Sequence, residues 1–192
     1  MKEINIKIKD EMLSLLSELV NGFTKHHKEL KITGTALNRS ISFNIIGHAD
    51  DHPKLVGTRG LHIWSLQTIF RHIGDKQQVP LRITLLEPEV GERKEKPPYV
   101  PNPKWKPDNL VRLITNVNEL VFDKPVKIDV TNEGAATTFE LFPTPDCDRD
   151  VALLAGEILT AFKYIFHAIG KAEGRTIYID SVIGAEKNAG TC

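Results

Sequence analysis

Leu55-Val56-Gly57-Thr58-Arg59-Gly60-Leu61-His62-Ile63 decides how this chain reads, because of what surrounds it. Upstream, Ile41-Ser42-Phe43-Asn44-Ile45 alternates apolar and polar residues as a half-buried strand does, and a short segment opened by Asp51-His52-Pro53 follows. Downstream, Leu66, Ile69, Phe70 and Ile73 stand at i, i+3, i+4 and i+7, the spacing of one buried helix face. A strand, a short helix, a Gly-x-x-Gly corner and a longer helix are thus expected in succession. Glycine has no Cβ, so such a corner can turn tightly and let a phosphate approach the backbone. The amides that open the next helix lack intrahelical acceptors and carry partial positive charge. Arg59 adds a mobile cation inside the corner and Lys54 a second one turn earlier, while Leu55, Val56 and Ile63 offer an apolar floor for bases.

Working outward, Met12, Leu13, Leu15, Leu16, Leu19, Val20 and Phe23 recur with a period of three and four, predicting a helix from about Asp10 to Lys25. Leu30 and Ile32 then alternate with polar residues, Leu37-Asn38-Arg39-Ser40 supplies a turn, and Ile41, Phe43 and Ile45 alternate again, as in a hairpin. Asp50 and Asp51 are suited to cap the next helix, with Pro53 tolerated in its first turn. Gly74 suits the end of the long helix, and Leu81 to Leu85 reads as a last strand.

This order recurs. Shifting the sequence by 96 residues pairs Phe43 with Phe139, Asp50 with Asp146, Gly60 with Gly156, Ile69 with Ile165, Phe70 with Phe166, Ile73 with Ile169, Gly74 with Gly170 and Ile83 with Ile179. The second copy is expected to hold a helix from Asp108 to about Phe122, strands near Val126 to Val130 and Thr137 to Phe142, and a capped helix after Asp146. A long helix with Leu159, Phe162, Ile165, Phe166 and Ile169 and a strand from Thr176 to Asp180 complete it. Between the copies, six prolines from Pro88 to Pro107 and the run Glu92-Arg93-Lys94-Glu95-Lys96 form a poor helix or strand and a good extended linker. The expected division is 8–87, a linker at 88–106, a second unit at 107–183 and a flexible tail at 184–192.

With these residues in view, the chain resembles the type II KH domain family, the bacterial arrangement in which a helix and strand precede the strand-helix-GxxG-helix-strand core. Residues 10–87 carry the likeness, and Leu55 to Ile63 fits the family signature. The resemblance implies an α+β fold of two tandem type II KH-like domains. Each would be helix-strand-strand-helix-helix-strand, with a three-stranded sheet covered by helices on one face. It also implies about four nucleotides held by the loop. Residues 107–182 resemble the family in element order but depart at the corner, which reads Leu153-Leu154-Ala155-Gly156, lacking the first glycine and the arginine. At the 96-residue offset Asp150 falls opposite Lys54, and a carboxylate beside a phosphate is repulsive. The second copy is therefore expected to be structural, packing on the first or offering a surface for a homodimer or protein partner.

Trp64 falls on the helix face opposite Leu66, Ile69, Phe70 and Ile73, together with Thr68 and Arg71. It needs another partner, either a stacked base or, more simply, the other repeat, the linker or a second chain. His48-Ala49-Asp50-Asp51-His52 contains ligand-type residues, but capping accounts for the aspartates and no C-x-x-C or H-E-x-x-H accompanies them, so no metal or other cofactor is expected. His26-His27 suits an exposed helix end.

The whole chain bounds these readings. Its 192 residues, 41 % apolar and 26 % charged, are ordinary for a soluble globular protein, and the zero formal net charge lacks the excess of a strong electrostatic nucleic-acid binder. Residues 1–96 nevertheless carry 15 Lys/Arg against 12 Asp/Glu, and six of the seven histidines, so an anion should prefer that half. Two cysteines, Cys147 and Cys192, give no disulfide framework and suit a reducing cytoplasm. No apolar leader or membrane span is evident. No G-x-S-x-G, P-loop or Rossmann pattern points to an enzyme.

The expected function is RNA binding, with Gly57, Thr58, Arg59, Gly60, Lys54, Leu55, Val56, His62, Ile63 and Trp64 forming the interface for single-stranded RNA. Single-stranded DNA is a second candidate ligand. The rival reading is an assembly module that keeps the geometry without nucleic-acid affinity.

Overall fold

The computed structural model describes residues 2–88, 107–144 and 147–183, so the expected linker lies almost wholly, and the tail wholly, outside the described residues. The first half runs α1 (Lys2–Asn21), β1 (Lys31–Ala36), β2 (Ile41–Ile46), α2 (His52–Val56), a 3-10 turn (Thr58–Gly60), α3 (Leu61–Gln77) and β3 (Leu81–Leu85). The second half runs α4 (Pro107–Val121), β4 (Lys127–Glu133), β5 (Ala136–Phe142), α5 (Asp148–Ala155), α6 (Glu157–Ala172) and β6 (Thr176–Ser181).

Each half makes its own three-stranded mixed sheet, ordered β1-β2-β3 and β4-β5-β6. The first two strands pair antiparallel through a tight turn, closed in the first half by the Leu37 amide donating to the Ser40 carbonyl at 2.8 Å. The third strand is parallel to the second, which requires the intervening helices as a crossover. Phe43 lies beside Ile83 in one sheet and Phe139 beside Ile179 in the other, so the sequence repeat is a repeat of strand register.

One face of each sheet is apolar: Ile41, Phe43 and Ile45 in β2 and Phe139 and Leu141 in β5 are fully buried. Helices α1 and α3 pack on the first sheet and α6 on the second, while α3 also packs against α4 and α6. The buried side chains of both halves consequently belong to one apolar cluster.

Several boundaries differ from the sequence expectation. Helix α1 begins at Lys2 and ends at Asn21, and Ile8, ahead of the stripe that starts at Met12, already packs on the apolar cluster. Helix α3 passes Gly74 and ends at Gln77, with Gln78 in the left-handed conformation at φ 56°. Gly74 serves packing: a Cβ there would come within 2.7 Å of the Val79 carbonyl oxygen and 3.0 Å of the Leu81 amide. Its partner Gly170 serves the same purpose: a Cβ there would come within 2.6 Å of the Ile177 side chain and 3.0 Å of the Arg175 carbonyl oxygen. Each lets the strand fold back directly over its helix.

Thr68, expected on an uncovered face, is buried at 3 % exposure because α3 is packed on more than one side. Trp64 is half-buried and packs against the apolar cluster.

Asn118 on α4 is a buried polar residue whose side chain lacks partners among the described residues. Leu16 and Leu19 of α1 correspond to Ile114 and Val117, so Asn118 occupies the place of Val20, yet neither of its buried amide atoms has a hydrogen-bond partner among the described residues. An unsatisfied buried amide costs about 1–3 kcal/mol. Asn118→Val is expected to raise folding stability by about 1 kcal/mol or more, read as a higher urea midpoint at unchanged slope; a lower midpoint would show that the amide has a partner in solution.

Candidate nucleic-acid interface

Helix α2 is short because Pro53 can only occupy its first turn and Gly57 ends it. The corner then departs from ordinary backbone in three of its four residues: Gly57 has φ 74° and ψ 174°, Arg59 φ 54° and ψ 29°, and Gly60 φ 80° and ψ 11°. The Gly60 amide donates to the Gly57 carbonyl at 3.2 Å, closing the 3-10 turn.

Beneath the turn, His62 Nδ1 donates to the Lys54 carbonyl at 2.6 Å, satisfying one of the carbonyls that a helix end leaves open. The same imidazole packs against the Phe23 ring at 5.6 Å between centroids. A Cβ on Gly57 would lie 2.5 Å from His62 Cγ and 2.8 Å from its amide nitrogen, whereas nothing lies within 4 Å of one on Gly60. Gly57 is therefore required by both backbone and packing, whereas Gly60 needs only a residue that adopts the left-handed conformation.

The two cations of the corner differ. Lys54 Nζ is 2.5 Å from Asp51 Oδ1, so its charge is already paired. Asp51 was expected to cap α2, but its side chain makes no capping bond. Instead its buried carboxylate accepts from the amides of Lys25 (2.8 Å) and His26 (2.7 Å) and from His26 Nδ1 (3.0 Å), tying the chain after α1 to the start of α2. Burial pushes this carboxyl up, but the Lys54 bond, the two amide bonds and the Lys54 charge together outweigh it and hold it below its ordinary value. Arg59 is exposed and makes no hydrogen bond or ion pair among the described residues, and Thr58 beside it is exposed as well.

Of the ten residues expected at the interface, Gly57, Thr58, Arg59 and Gly60 present the corner to solvent. Leu55 is 1 % exposed and belongs to the core, so it does not floor a groove. Val56, His62, Ile63 and Trp64 are half-buried, the last two packed on the apolar cluster and His62 serving as a strut. The site is a small polar apex on an apolar support.

The second corner is constructed differently. Helix α5 runs to Ala155, Gly156 has φ −119°, and α6 begins at once, with no left-handed residue between them. The first turn of α6 is also occupied: Glu157 accepts from Arg71 Nη2 at 2.5 Å and His72 Nε2 at 3.0 Å, both on α3. Its carboxyl feels burial upward, but those two donors and their charges hold it below its ordinary value.

Asp150 does not take the place of Lys54, as the fixed offset suggested. It is fully buried and accepts from the amides of Asp123 (3.0 Å) and Lys124 (2.9 Å), which is the role of Asp51 in the first half. The offset holds in the sheets and between α3 and α6, shifts by two residues between α1 and α4, and slips by three at the short helix. Arg149, 2.9 Å from Asp123 Oδ1 and 3.7 Å from Asp150 Oδ1, completes this tie.

Between the halves, a cleft of about 240 Å³ is lined by Lys76, Asn118, Phe122 and Lys124 among others. Lys76 Nζ donates to the carbonyls of Glu119 and Phe122 at the end of α4, where a cation complements the helix dipole. No long apolar helix capable of crossing a membrane occurs among the described residues. The chain matches no protein-family model and no curated protein.

Proposed function

We propose that this chain is a non-enzymatic RNA-binding protein of tandem type II KH-like units, the first holding single-stranded RNA at its Gly57-Gly60 corner and the second serving as scaffold. The observation that carries the reading is the exposed left-handed Arg59 at the apex of a corner whose backbone is open to an anion. Two halves with the order helix-strand-strand-helix-helix-strand, each with an antiparallel pair followed by a parallel strand, support the type II assignment. The scaffold role of the second half is supported by its corner, where α3 supplies the cations that Glu157 already binds.

With Lys54 neutralised by Asp51, few charges remain for phosphates. Affinity is therefore modest, with a shallow salt dependence of roughly −0.7 per neutralised phosphate on a log-log plot. The double substitution Thr58→Asp with Arg59→Asp is expected to weaken binding of a fluorescent single-stranded RNA by about tenfold or more through charge reversal. Aspartate tolerates the left-handed conformation at position 59, so the thermal midpoint should stay close to that of the parent. Undiminished RNA binding would remove the corner from the interface, and an absence of RNA binding by the parent would favour the assembly-module reading.

A further inference from the structure

Three ligand-type side chains converge at one end of the first sheet, where the chain after α1 meets the chain after β2. His26, His48 and Asp50 each present a donor atom, and these atoms lie within 4.8 Å of one another. The two imidazoles are stacked at 4.0 Å between centroids. We propose that this cluster is a divalent transition-metal site, with His26, His48 and Asp50 as ligands and Zn2+ as the fitting class of ion. Imidazole and carboxylate together are a donor set that suits Zn2+.

The surroundings are those of a metal site rather than of two histidines that happen to touch. His26 Nδ1 is engaged by Asp51 at 3.0 Å, which leaves Nε2 as its coordinating nitrogen. A carboxylate on the far nitrogen orients a ligating imidazole and raises its basicity. Asp51 is itself fixed by the amides of Lys25 and His26, so the ring is held in place.

Glu29 lies 3.7 Å from His48 Nε2 and brings a further carboxylate to the rim. The Asp50 amide donates to His48 Nδ1 at 3.1 Å, which places the neutral ring's proton on Nε2; coordination through Nε2 requires that proton to move to Nδ1, so coordination through either nitrogen replaces the amide contact. Asp50 and Glu29 bring carboxylates to the locality, while the charge of Asp51 is balanced by Lys54, so the rim favours a cation over a free anion.

His52, which the sequence groups with these residues, stands apart from them, 3.7 Å from Glu87. His26 comes from a different segment, so no local pattern in the sequence groups it with His48 and Asp50. The site would staple the α1–β1 loop to the segment that leads into α2, and so brace the support of the corner.

The test uses the full-length protein stripped with EDTA and titrated with Zn2+, followed by calorimetry and thermal unfolding, with Co2+ as a spectroscopic substitute. Expected are one ion per chain, an EDTA-reversible rise in thermal midpoint, and a visible Co2+ absorption band of low-coordinate nitrogen and oxygen ligation.

His48→Ala and Asp50→Asn should each weaken Zn2+ binding by about tenfold or more, and His52→Gln should leave it unchanged. Asp50 is exposed, so its variant keeps the comparison valid even if His48→Ala disturbs folding. Absence of stoichiometric binding by the parent, or full affinity in Asp50→Asn together with parental affinity in any folded His48 variant, overturns the site.

Discussion

Asp51→Ala is expected to cost about 3–5 kcal/mol of folding stability, the range for breaking a buried charge network from one side, and to lower the thermal midpoint by about 10 °C. The carboxylate is 2 % exposed and takes bonds from the Lys25 amide, the His26 amide, His26 Nδ1 and Lys54 Nζ. Alanine leaves two backbone amides without an acceptor, each costing about 1–3 kcal/mol, and frees Lys54.

Asp51→Asn keeps one carbonyl oxygen as acceptor and should lose distinctly less. Asp150→Ala should be comparably damaging in the second half, where the amides of Asp123 and Lys124 depend on it. Urea unfolding of the variants is the measurement. A loss below about 0.5 kcal/mol, the level of an ordinary surface substitution, would mean that the loop after α1 finds water instead.

Gly57→Ala is expected to cost about 3 kcal/mol or more. A φ of 74° with ψ of 174° is essentially confined to glycine, and forcing another residue there costs about 1–3 kcal/mol. The new methyl would also meet the amide nitrogen of His62 at 2.8 Å, which belongs to the backbone of α3 and cannot rotate away.

Relief requires α3 to shift against a packed core, or His62 to surrender its bond to Lys54. Gly60→Asn is the matched control: its φ of 80° and ψ of 11° suit asparagine and open space surrounds it, so a change within about 0.5 kcal/mol is expected. Equal losses at the two glycines would show that conformation alone, without the His62 contact, sets the cost.

These contrasts bear on what the two corners reveal about each other. That the second half turns from α5 into α6 without a left-handed residue does not make the first half's glycines dispensable, because the 3-10 turn and the His62 strut exist only in the first. Gly57 is structural as well as open to an anion. The exposed Arg59, beside the half-buried Gly60, is where the chemical reading rests.

Most of the element order was legible because apolar periodicity records which face of each element is buried: Phe43 and Ile83, or Phe139 and Ile179, announce adjacent strands in both halves. The site was less legible. Leu55 looked like a groove floor and is core, since a five-residue helix has little apolar surface besides that leucine to bury. The Asp51 and Asp150 ties, the Glu157 plug and the His26-His48 stack join residues separated by 22 to 86 positions, and no local pattern encodes such partnerships.

Sequence alone determined the repeated order of helices and strands and the glycine-bounded corner, because hydrophobic periods and φ requirements are properties of short segments. Tertiary structure decided which charges remain available at that corner, that Asp150 corresponds to Asp51, and that the two halves bury their apolar faces in one cluster. The physical reason is that desolvation and pairing depend on what arrives from distant parts of the chain, and only packing brings those groups within reach of one another.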